Sequence, residues 1–287
     1  MVRRLRSRRP TTLSPFQRFY LTFVTLAVLG PFVPLVIASF AFRWSWPSLL
    51  PTAWWIKARA TARLPLAWDY VFSTYSRVGP AIINTVAIAL VVTLVCLVLC
   101  LPAARVIARE NFRGKGVVEF FLLTPLMVPE IAIGLGILVT FIQLGLAGTF
   151  VGIVLAHLIP TIPYMVRTLT SVFQGLSKDY EEQSLVLGAS PLKTLWHVTV
   201  PMIMPGILAG SLFAFLISTN IFLLTFFVGR GGINTLPTLL FAKISYGGSL
   251  DPVAAGITLL VSAPGVVLLL ITERFLKEEV FASGFGA

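Results

Sequence analysis

One polar stretch, residues 177–205 (SKDYEEQSLVLGASPLKTLWHVTVPMIMP), interrupts an oily chain between two apolar segments that are each long enough to cross a bilayer. Lipid can neither hydrogen-bond the backbone nor solvate the charges of such a stretch, so it must meet water or another protein. Only 11% of the 287 residues are charged and 57% are hydrophobic, whereas soluble domains carry about 25% charged residues. The chain therefore reads as a multispanning membrane protein. Its formal net charge of +11 marks cytoplasmic segments rather than a nucleic-acid surface.

Local chemistry divides the stretch into two short helices. Asp179, Glu181 and Glu182 fall in the first turn of a helix over 178–187, where carboxylates favour the positive end of the dipole. Gly188 stops that helix by entering a left-handed cap without steric cost. Ser190 caps a second helix that has Pro191 in its first position. Leu192, Leu195, Trp196 and Thr199 give it one mostly apolar face, and Pro201 is expected to close it before the next span.

Six apolar runs organise the rest. Residues 1–18 form a basic tail with Arg3, Arg4, Arg6, Arg8, Arg9 and Arg18, followed by a first span over 19–42 that is too long for a secretory leader. Residues 43–79 form an outer, Trp-rich connection holding Trp44, Trp46, Trp54, Trp55 and Trp68, as suits an aromatic belt. A five-span core follows over 80–272. Its spans are expected at 80–101, 117–144, 150–173, 205–228 and 252–271, with the polar loop at 177–201 and a cytoplasmic tail at 273–287. Arg105, Arg109, Arg113 and Lys115 place the loop after the second span inside, so both termini are cytoplasmic. Pro125, Pro129, Pro160 and Pro163 bend the third and fourth spans, which is tolerated where neighbours or a cavity re-satisfy the backbone. A short helix near 236–240 is expected at the outer surface.

Several chemistries are excluded. His157 and His197 lie in different contexts, and no Ser-His-acid set, zinc spacing or GxxxxGK(S/T) phosphate loop occurs. Cys96 and Cys100 share one helix face as small packing residues. The chain is not an enzyme and binds no metal or cofactor of its own. Glu130 is the one carboxylate well inside an apolar run, a candidate for the substrate path by default and equally a carboxylate satisfied at the kinked backbone beside Pro129. Ser218, Thr219 and Asn220 form a second candidate cluster, which serves equally as interhelical hydrogen bonding.

Glu182, Gly188 six positions on, and Val198-Thr199-Val200-Pro201 resemble the EAA motif of permease subunits in type I ATP-binding-cassette importers. The spacing matches throughout, with Gln183 and Ser184 where the family has two alanines. Trp68-Asp69-Tyr70, Asn84-Thr85, Ala103-Ala104 and Arg109 resemble further family positions in the same order. Pro125 to Ile131 is similar to the spermidine and putrescine branch, although neutral Asn220 stands where that branch often has an acid.

The resemblance implies an all-α multispanning membrane protein with six transmembrane helices in the type I importer permease (MetI-like) fold, in a bacterial inner membrane. It implies ATPase coupling through Glu182, Gly188, Ala189 and Pro201. It also implies two ATPase subunits carrying ATP and Mg, a second permease subunit expected to be a different chain, an external solute-binding protein and lipid, but no nucleic acid. The alternatives are an ion-driven secondary transporter using Glu130 and a structural membrane scaffold. The first requires inverted repeats and discontinuous helices in matched halves, neither of which is visible in the sequence, and leaves the loop motif unexplained; the second would need neither the bent spans nor the buried Glu.

Overall fold

The computed structural model describes residues 14–44, 47–57, 59–246 and 251–284. The basic tail before residue 14, Trp46 and the outer residues 247–250 lie outside them. Helix α1 (Pro15–Leu29) opens on a capping box. Ser14 Oγ accepts from the Gln17 N–H, and Gln17 Oε1 accepts from the Ser14 N–H. The first span thus starts earlier than residue 19 and continues through a 41° bend into α2 (Phe32–Phe40).

The connection after α2 is ordered by a short antiparallel pair, β1 (Ala41–Arg43) with β2 (Ala53–Trp54), and by α3 (Leu66–Val71). Its aromatic rings pack on the end of the first span, with Trp55 stacked on Phe40 at 6.3 Å and Trp68 tilted against it at 6.4 Å.

Helix α4 (Val78–Arg109) spans 32 residues, about 48 Å at 1.5 Å per residue against roughly 30 Å of hydrocarbon. It runs through Pro102 instead of ending at 101. The extra turns carry Arg105 and Arg109 out beneath the polar loop. Helix α7 (Phe150–Gly175) absorbs Pro160 and Pro163 and packs against α4. Ile88, Val92, Cys96, Met165, Leu169, Phe173 and Ile203 fill the seam between α4, α7 and α10 (Val200–Asn220). The two cysteine sulfurs stand 3.6 Å apart within it, on the shared face that their spacing requires. Helices α7 and α10 approach closely at glycine. A Cβ on Gly206 would collide with Val172 Cγ2, and one on Gly210 would stand 2.8 Å from Met165 Sδ.

Two spans expected to be continuous are broken. Helix α5 (Lys115–Leu123) and its terminal 3-10 turn meet α6 (Glu130–Gln143) at 99°, because Pro129 directs the backbone out of the helix before Glu130. Helix α10 stops at Asn220, and α11 (Leu223–Gly229) begins after two non-helical residues. The two breaks are neighbours, since Gly134 of α6 backs onto Phe227 and Leu224 of α11. Discontinuous helices are therefore present, contrary to the expectation. Helix α12 (Leu236–Tyr246), expected at the outer surface, is longer than its sequence signal, and α13 (Pro252–Gly284) continues as one helix past 271.

Among the described residues, three helices are long and apolar enough to span alone, namely α4, α7 and the continuous run Pro191–Asn220. The two bent pairs and the apolar helix Pro252–Leu268 supply the remaining candidates for the six-helix architecture.

Candidate functional site

The polar loop folds as its residues dictate. Helix α8 (Asp179–Val186) carries all three acids in its first turn. It ends in a complete Schellman cap: the Gly188 N–H donates to Leu185 O at 3.0 Å, and the Ala189 N–H to Ser184 O at 3.1 Å. Gly188 holds φ +87°, a conformation that a side chain resists. Helix α9 (Pro191–Thr194) then starts on Ser190, whose hydroxyl accepts from the Lys193 N–H.

Pro201 does not close this helix. Residues Leu195–Thr199 form a π turn in which the Val200 N–H reaches Leu195 O, and the chain passes without a break into α10. The wider turn gives the proline ring room and removes the need for its missing N–H. From Pro191 onward, loop and span are one continuous helix.

Glu181 ties that piece to the core. Thr199 Oγ1 donates to Glu181 Oε1 at 2.8 Å, and Arg105 Nη2 of α4 reaches Glu181 Oε2 at 3.3 Å. Burial pushes the Glu181 carboxyl up, but donation from Thr199 and the charges of Arg105 and Arg109 outweigh it and hold the group below the ordinary carboxylate range. The Ser184 hydroxyl meets that of Thr194 at 3.0 Å. The polar residue standing in place of a family alanine is thereby satisfied between α8 and α9.

Glu182 makes no such bond. It is exposed and has no partner among the described residues. The same loop exposes the apolar side chains of Val186, Leu187, Leu192 and Trp196, the first two more than 85% accessible. A cavity of about 280 Å³ separates α8 from the end of α4, lined by Arg105, Arg109, Lys178, Glu110, Glu181 and Glu182. Nε and Nη2 of Arg109 are buried without a partner there, while Lys178 Nζ donates to Arg109 O at 3.3 Å.

The second candidate cluster lies at the two helix breaks. Glu130 begins α6 with Oε1 buried and unpartnered. Ser218 and Thr219 are buried in the packing, and Asn220 is exposed at the end of α10. Sequence reasoning passed over His157. Its Nδ1 meets Ser218 Oγ at 2.9 Å and its Nε2 meets Thr225 Oγ1 at 2.8 Å. One buried imidazole of α7 therefore splints both sides of the α10–α11 break. The available signal was a polar ring in an apolar helix that needed partners.

Residues 98–278, more than half of the chain, match the family model described as the binding-protein-dependent transport system inner membrane component. The putrescine transport system permease protein PotI of Escherichia coli K12 is 34% identical over 172 residues, covering 58% of this chain and 61% of that relative. The molybdenum transport system permease protein ModB of Mycobacterium tuberculosis is 29% identical over 227 residues, covering 74% and 78%. A bacterial ABC transporter involved in the import of the acidic polysaccharide alginate has a chain that superposes with a TM-score of 0.68 at 16% identity, over 92% of this chain and 99% of that one. The fold is shared across that distance.

Proposed function

The chain belongs to the family of binding-protein-dependent transport system inner membrane components, and on that premise we propose that it is the permease subunit of an ATP-driven importer of a small polar solute. One observation carries the reading. The loop 177–201 is anchored inward by Glu181 while Glu182 and an apolar rim face outward. This division of two adjacent acids fits a lever that a partner pushes. Because α9 and the π turn continue into α10 and Glu181 bonds α8 to Thr199 of that turn, displacement of the loop moves a spanning helix.

Each assigned residue has a role in this account. Glu182 offers its carboxylate to a basic residue of a cytoplasmic ATPase, Gly188 and Ala189 form the joint between the loop helices, and Pro201 lies where loop becomes span. The ATPases, two per transporter, hold ATP and Mg. A second permease subunit completes the path, and an external binding protein delivers the solute. Both termini face the cytoplasm. Glu130 and Asn220 line the path at the neighbouring breaks, with Ser218 and Thr219 behind them.

The relatives' names include putrescine, molybdenum and osmoprotective compounds, so the solute is argued from this chain's own acids. Glu130 is the lone carboxylate well inside the apolar spans. A polycation would need more charge to offset its lost hydration. The solute carries at most one net positive charge. Uptake by proteoliposomes holding this chain with its ATPase, second permease and binding protein tests the reading: ATP-dependent accumulation supports it, and accumulation driven by an ion gradient without ATP overturns it.

A further inference from the structure

The break between α10 and α11 leaves backbone open where lipid cannot serve it. Ile221 and Phe222 lie outside both helices, and neither of their N–H groups reaches a carbonyl oxygen of α10. Asn220 spends its Nδ2 on Leu216 O at 2.8 Å and on Thr219 Oγ1 at 3.3 Å, which leaves Oδ1 without a donor. Open carbonyls at the end of a 21-residue helix concentrate partial negative charge. In a membrane they persist only against protein or a water-filled path.

Three phenylalanines stand at the same break. Phe222 is 4.7 Å from Phe241 and 5.5 Å from Phe226, with Phe226 and Phe241 5.7 Å apart. The rings of Phe226 and Phe241 are nearly half exposed, at 47% and 45%. The neighbouring cation is occupied, since Lys243 Nζ donates to Tyr70 Oη at 3.1 Å and sits 4.6 Å above that ring. Glu130 lies one turn from Gly134, the residue of α6 that packs on α11, with a carboxylate oxygen buried and unpartnered. Aromatic faces, free carbonyls and a single carboxylate share one ligand chemistry, a desolvated ammonium with one positive charge.

We propose that the α10–α11 break is a binding subsite for an organic monocation, a small alkyl or quaternary ammonium held by Phe222, Phe226, Phe241 and the carbonyl end of α10. This rests on the permease reading and names the class of solute for it. A dication would leave one charge unmatched, and an anion would face open carbonyls.

Binding of choline to the full-length chain in phosphatidylglycerol nanodiscs tests this, with its neutral isostere 3,3-dimethylbutanol, putrescine and molybdate as comparisons. Saturable binding of choline is expected, with the isostere and putrescine each about tenfold weaker and molybdate not bound. Phe226→Leu and Phe241→Leu should each weaken choline several-fold, and Phe226→Trp should retain it, which separates loss of the aromatic face from loss of the fold. Equal affinity for the isostere, choline binding indifferent to both leucine variants, or preferred binding of putrescine or molybdate overturns the proposal. ATP-dependent uptake of a neutral or anionic solute by the assembled transporter would overturn it while leaving the permease reading standing. Choline binding without any ATP-dependent uptake would fail the permease reading instead.

Discussion

Thr199 and Glu181, eighteen positions apart, are joined by a 2.8 Å hydrogen bond from the threonine hydroxyl to Oε1. That bond closes α8 back onto the π turn that leads into α10, and Arg105 holds the other carboxylate oxygen from α4. Loop, spanning helix and core therefore meet at one carboxylate.

The sign of the Glu181 shift sets a pH dependence. Its folded pKa lies below the unfolded value, so its contribution to stability is complete above the ordinary carboxylate range and is lost as pH falls through the folded pKa. Thermal unfolding of the detergent-solubilised chain should show Glu181→Gln less stable than wild type at neutral pH, with the gap closing in acid. A gap that widens in acid would contradict the arrangement.

His157 bridges the α10–α11 break through Ser218 and Thr225. Ser218 has no other side-chain hydrogen bond among the described residues, whereas Thr225 also donates to Ile221 O. His157→Leu should cost about 1–3 kcal/mol by leaving the Ser218 hydroxyl buried and unsatisfied. Adding Ser218→Ala should recover part of that loss, measured as unfolding free energy in a double-mutant cycle.

Close packing of α7 on α10 has a separate readout. Gly206→Val should destabilise by about 1–3 kcal/mol, because Val172 already occupies the space a side chain needs. Gly188→Val should lower stability by about 1–3 kcal/mol although nothing crowds a Cβ there, because it strains the φ +87° cap, and should impair transport with it.

Membrane orientation is checked with thiol labelling. Cys96 and Cys100 are buried and give little background. In intact cells an impermeant reagent should label Thr52→Cys in the outer connection and spare Ser177→Cys in the loop. The reverse pattern would invert the topology.

Much of the loop was legible because its signals are local. A cap glycine, an Ser-Pro start and acids in a first turn act within a few residues of themselves. The different orientations of Glu181 and Glu182 were not legible, because both satisfy the same helix dipole and only the distant Arg105 and Thr199 separate them. Pro201 misled for a related reason: the clash that ends an α-helix is relieved by a π turn, which local propensity does not announce. The break before α6 was foreshadowed by Pro129. The break after Asn220 contains neither proline nor glycine, so it depends on tertiary partners such as His157.

The central claim is that Glu182, and not Glu181, faces an ATPase. The most direct measurement is copurification of the cytoplasmic ATPase with Glu182→Lys and with wild type, alongside ATP-dependent uptake. Truncating one side of a desolvated charge pair costs on the order of 2–5 kcal/mol, and reversal costs no less. The account predicts that Glu182→Lys reaches the membrane with wild-type thermal stability but loses both the ATPase and uptake; retention of both by that variant would contradict it.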